Sequence, residues 1–110
     1  MVRGLPGPQL AADRALSPYL SEAAVKTLTV KLPLRGSLPC LSHMLAAVGA
    51  LRRAGARILA GTDADNAGRS MGVSLHGELA LMVEAGLTPL EALTAATSAA
   101  AEQLGLSDRG

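Results

Sequence analysis

Ala56-Arg57-Ile58-Leu59-Ala60-Gly61-Thr62-Asp63-Ala64 decides how this chain reads. Residues 56–60 are too short a run for a helix, and they stand between two segments of helical pattern. That position predicts a short parallel strand covered on both faces. The run then breaks at Gly61 and presents Asp63 in the loop that follows.

Upstream, Leu41, Met44, Leu45, Val48 and Leu51 recur at helical spacing and predict one apolar stripe. Arg52 and Arg53 fall in the last turn of that helix, where cations complement its dipole. Gly55 fits the position just past its end. Downstream, Ser74 is placed to cap a helix with Leu75, Leu79, Met82 and Val83 on its apolar face, and Gly86 stops it. Thr88, Pro89 and Glu91 then form a complete start signal, a capping box with proline at the first helical position. Leu90, Leu93, Ala100 and Leu104 are expected on the buried side of this last helix, which Gly105 ends. The order is helix, strand, loop with an acid, helix, helix.

An aspartate delivered from the C-terminal end of a strand is the usual way an α/β barrel supplies a catalytic or metal-binding carboxylate. Taken in order, ILAGTDA at residues 58–64 and GVSLHGELALMVEAGLTPLEALTAATSAAAEQLGLSDRG at residues 72–110 resemble the amidohydrolase superfamily. The block is similar to the last barrel strand and following helices of its imidazolonepropionase/prolidase-like branch, over about residues 41 to 110. The resemblance implies an α/β fold, the closing helix-strand-helix portion of a (β/α)8 barrel, mostly helical as an isolated chain. With 110 residues the chain is shorter than a complete barrel of ~250 residues. The expectation is therefore a fragment, with residues 40–110 as the C-terminal part of the barrel. Residues 1–39 read as an irregular, partly helical connection punctuated by Pro6, Pro8, Pro18, Pro33 and Pro39. Within that connection Gln9 to Ala15 suits one short helix, and Ser21 to Val30 a second with Ser21 as its N-cap.

Composition narrows the function. Hydrophobic residues make up 49%, but much of this is alanine, and Tyr19 is the one aromatic, so the core is thin. Ten basic against nine acidic residues form no basic stripe, and no aromatics are spaced to stack on bases, so nucleic acid is disfavoured as a partner. No apolar run approaches the ~18 residues of a membrane span. The N-terminus has no apolar signal segment. A cytoplasmic protein that does not engage membranes is the expectation. Cys40 is the single cysteine, which excludes an internal disulfide.

Asp63 is the leading functional residue. The resemblance implies that it contacts a divalent metal, zinc or a similar ion, and takes a proton from the metal-bound water; a carboxylate suits both tasks. The plainer reading is an Asx-turn aspartate that shapes the passage from strand to loop. His76 falls in the first turn of the next helix and is expected at the substrate. Its plainer reading is a histidine satisfied by loop carbonyls. Asp65 and Asn66 are either supports for Asp63 or substrate contacts, or, on the plainer and favoured reading, ordinary polar loop residues. Thr62 could fix the Asp63 rotamer, and Glu78 is expected to point elsewhere as a surface charge. Cys40 and His43 have Cys-x-x-His spacing, yet no second pair completes a tetrahedral zinc shell.

The implied reaction is metal-assisted hydrolysis of a C–N bond in a small-molecule substrate: a cyclic amide, an amidine or a dipeptide-like molecule. A homo-oligomer of the complete enzyme is compatible with this. The chain departs from the family pattern in carrying only His43 and His76, which cannot form the His-x-His of a first barrel strand. The fragment alone is therefore expected to be inactive. The competing reading is a small non-enzymatic helical module whose alanine-rich helices pack against a partner.

Overall fold

The structure is a computed structural model and describes residues 7–30, 39–64, 66–106 and 108–110. Its order is α1 (Gly7–Ala12), a single 3-10 turn (Ser17–Tyr19), α2 (Glu22–Thr29), α3 (Pro39–Arg53), α4 (Val73–Glu84), α5 (Pro89–Ala96) and α6 (Ser98–Gln103). Contacts divide the chain into two units. One holds the described residues of Met1–Gly36 and Thr62–Gly77; the other holds those of Ser37–Gly61 and Glu78–Gly110.

In the first unit α1 packs against α2. Ser21 caps α2 as expected, its hydroxyl accepting from the Ala24 N–H at 3.1 Å. The first helix ends at Ala12 rather than Ala15, because Asp13 turns the chain: its carboxylate accepts from the Ala15 N–H at 2.7 Å. Leu28 is fully buried, and Gly7 lies so close to the Leu28 carbonyl that no side chain fits there.

The second unit is built around Met82, Leu87, Ala92 and Ala95, with Val48, Ile58, Ala60 and Leu79 packed on them. Local chemistry sets its helix ends. At the end of α3 the Ala56 N–H reaches the Leu51 carbonyl (3.0 Å) and the Gly55 N–H reaches Arg52 (2.9 Å). Gly55 takes φ 81° to allow it. The same pair of bonds closes α4, Leu87 to Met82 and Gly86 to Val83, and closes α6, Leu106 to Ala101 and Gly105 to Glu102. Each is a Schellman motif, and at α4 its two flanking apolar residues, Met82 and Leu87, are themselves core. The Thr88 capping box is present in both directions.

Four expectations need correction. Residues 56–60 form no strand, and no strand occurs among the described residues. Ile58 and Ala60 are half-buried while Arg57, Leu59 and Gly61 are exposed, which is the two-residue period of a strand with one covered face. What is missing is a neighbour to form a ladder; the Ala60 N–H donates instead to the Ala95 carbonyl at 3.1 Å.

Second, the segment after Thr88 is not one helix. It breaks at Thr97 (φ −127°, ψ −99°), whose hydroxyl bonds back to the Leu93 carbonyl at 2.8 Å. The break leaves the Ala95 carbonyl to Ala60, where an unbroken helix would give it to residue 99.

Third, the buried face is rotated. Ala92, Ala95 and Ala101 are buried, whereas Leu90, Leu93 and Leu104 are 74%, 53% and 73% exposed. Small side chains let the helices approach the Met82–Leu87 core, and the leucines are left outside. The α3 stripe is likewise largely uncovered at Leu41, Met44 and Leu51, and on α4 Leu75 and Val83 are exposed while Met82 is buried.

Fourth, Ser74 is the second residue of α4 and not its cap; its hydroxyl accepts from the Ser70 N–H at 2.8 Å.

Candidate functional site

Asp63 sits in the irregular loop after residues 56–60 and is the one non-glycine residue with positive φ, 50°, among those described. Aspartate tolerates this left-handed region better than most residues, because its short polar side chain can bond locally. It does so here. Asn66 Nδ2 donates to Asp63 Oδ2 at 2.9 Å. The Arg69 guanidinium lies 3.7 Å from the same oxygen and donates to the Thr62 carbonyl at 3.2 Å. Asn66 thus bonds to the carboxylate, a contact that an ordinary polar loop residue also makes. Asp65 lies outside the described residues. Thr62 contributes through its backbone carbonyl.

Two further bonds anchor the loop. The Gly68 N–H donates at 2.8 Å to the Thr27 carbonyl in the last turn of α2, which otherwise accepts only a longer bond, 3.4 Å, from the Val30 N–H. The Gly61 N–H lies 3.5 Å from Glu78 Oε1, a weak bond, so Glu78 faces the start of the loop rather than away from it.

His76 is exposed in the first turn of α4, as expected. No hydrogen bond or ion pair joins it to Asp63 among the described residues. Cys40 and His43 are both exposed on α3. Clefts of about 640 Å³ (around Arg57, Ser98 and Arg109) and about 330 Å³ (around Ile58, Thr88 and Glu91) are lined by neither Asp63 nor His76. The Asp63 side chain, 73% exposed, opens to solvent.

Among the described residues no three His, Cys, Asp or Glu side chains converge. The donors among the described residues therefore do not by themselves fit a metal. The neighbours of Asp63 are an amide and a guanidinium, and a guanidinium competes with a cation for the same carboxylate oxygen. What the arrangement offers chemically is one exposed carboxylate, held through Oδ2, that can accept a proton or a ligand. Arg69 is the residue that sequence reasoning missed. It stands six positions from Asp63, outside any helical or strand period, and only the fold of the loop brings the two together.

The model of the amidohydrolase family matches residues 19–110. The chain belongs to the amidohydrolase family. The matched residues run from the 3-10 turn through α6 and include Asp63, Arg69 and His76. No curated protein and no solved structure matches the chain. No described helix of this amidohydrolase chain is long and apolar enough to cross a membrane.

Proposed function

We propose that this chain is the C-terminal part of a hydrolase barrel that cleaves a C–N bond in a small-molecule substrate, such as a cyclic amide, an amidine or a dipeptide-like compound. The supporting observation is the family match across residues 19–110, with an exposed, locally braced Asp63 in its loop. In this reading the Asp63 carboxylate accepts a proton from the attacking water as its oxygen bonds to the carbonyl or amidine carbon and the double-bond electrons move onto the oxygen or nitrogen. Those electrons then return, the C–N bond breaks, and the proton held by Asp63 passes to the leaving nitrogen. His76, on the helix that follows, contacts the substrate. The imidazolonepropionase/prolidase-like branch is the proposed placement within the family, and the cytoplasm the proposed location.

A divalent metal, zinc or a similar ion, belongs to this reading as a property of the complete enzyme, with its other ligands drawn from outside this chain. The exposed Leu90, Leu93 and Leu104 favour a chain completed by further structure. The test is hydrolysis of dipeptides and cyclic amides by the complete enzyme and by this chain alone. Turnover by the complete enzyme only is the expected result; turnover by neither would remove the reading. Calorimetric titration of zinc into the chain alone is expected to give no site of micromolar affinity or tighter. A tight site would mean that Cys40, His43 or His76 joins Asp63 in a ligand set.

A further inference from the structure

The Arg69–Asp63 pair invites a plain explanation, a solvent-exposed ion pair of little consequence for stability. Two features set it apart. Arg69 holds two points at once: the Thr62 carbonyl (3.2 Å), which precedes the Asp63 backbone, and the Asp63 carboxylate (3.7 Å). The residue it holds is also the one non-glycine residue with a left-handed backbone among those described, φ 50°, a conformation aspartate adopts with the help of local side-chain bonds. Arg69 is itself tied down on both sides. Gly68 bonds to Thr27 at 2.8 Å, and the Ser70 N–H to Ser74 Oγ at 2.8 Å, with Ser70 buried. The contacts of Asn66 and Arg69 both fall on Oδ2, and among the described residues nothing donates to Oδ1.

We propose that Arg69 is a positioning residue: by bridging the Thr62 carbonyl and the Asp63 carboxylate it keeps the Asp63 side chain in one rotamer, with Oδ1 turned outward for the reaction. This rests on the reading of Asp63 as the catalytic carboxylate. Both contacts come from one terminal nitrogen, Nη1, so a single cationic donor at this point serves the carbonyl and the carboxylate together. Asn66 supplies the second restraint on the same oxygen.

The test has two arms. In the first, NMR three-bond couplings report the φ and χ1 of Asp63 in this chain, in Arg69→Met and in Arg69→Lys. One rotamer is expected in wild type, averaging in Arg69→Met, and recovery of a dominant rotamer in Arg69→Lys. Averaging already in wild type, or no change in Arg69→Met, would overturn the proposal. The second arm measures kcat and KM in the complete enzyme. Misplacing a reacting group by about an ångström costs up to roughly a hundredfold, so Arg69→Met should lower kcat by roughly tenfold to a hundredfold with KM little changed. Arg69→Lys should restore much of it. An unchanged kcat in Arg69→Met, with Asp63→Asn inactive, overturns the positioning role and leaves the proposed function standing. If Asp63→Asn keeps full turnover, the proposed function fails instead, and the coupling data still decide whether Arg69 orients the side chain.

Discussion

At the residue scale the chemistry concentrates on Asp63. Its backbone is held in a region that suits Asp, Asn and Gly, and its carboxylate is fixed through one oxygen. The acid itself was legible, because Gly-Thr-Asp after an apolar run is a local pattern. Asn66, three residues on, bonds to Oδ2, a contact that both of its readings allow. Arg69 was not legible, since nothing in a loop sequence says which distant cation folds back. His76 occupies the helix turn its sequence position gave it, exposed and without an ion pair among the described residues. In the proposed reading it is a substrate-side residue that orients rather than reacts. His76→Ala in the complete enzyme is therefore expected to raise KM more than it lowers kcat, measured by steady-state kinetics on one substrate. A larger loss from His76→Ala than from Asp63→Asn would move the leading role to the histidine.

At the scale of elements, helix ends were read well and faces poorly. Ends are set by local groups: Ser21 and Thr88 at N-termini, and Gly55, Gly86 and Gly105 at C-termini, all as the sequence indicated. Thr88→Ala removes one arm of the capping box and should lower stability by about 1 kcal/mol, measured by urea denaturation. The box also carries a charge effect. Arg52 donates three contacts of 2.8 to 3.2 Å to the Glu91 carboxylate, and with the Thr88 backbone and hydroxyl it lowers the Glu91 pKa from 4.5 to about 2. A depressed folded-state pKa gives stability that is present above the unfolded value and is lost as pH falls through the folded one. The stability difference between wild type and Glu91→Gln should thus hold above pH 4.5 and shrink steadily toward pH 2. The pair is exposed, so the difference should also shrink with added salt. A difference that is flat over that range would show that the ion pair contributes nothing. Faces depend on what lies opposite. Leu90, Leu93 and Leu104 have the spacing of a core stripe, yet the alanines between them are buried. No window of sequence reveals that the available neighbour is a close-packed Met82–Leu87 surface.

At the scale of the molecule, the same dependence on partners explains the missing strand. Residues 57–61 alternate between covered and exposed as a strand does, but a ladder requires a second strand beside the first. Among the described residues four of the eight buried apolar ones are alanine, so they bury little large side-chain surface of their own. Family membership, α3, α4, the start of α5 and the acid-bearing loop were accessible from residues 41–110, where local signals are dense. The contacts around Asp63 were less legible, because Arg69 reaches it only through the fold of the loop. The central claim is that this stretch contributes Asp63 as the catalytic carboxylate of an amidohydrolase. The most direct measurement is kcat/KM of Asp63→Asn against wild type in the complete enzyme, with circular dichroism to check folding. Asparagine accepts the left-handed backbone and can still bond to its neighbours, so the fold should persist, while the neutral amide cannot take the proton. The expected result is an intact spectrum with turnover abolished. An Asp63→Asn enzyme that folds and turns over at close to the wild-type rate would contradict the account.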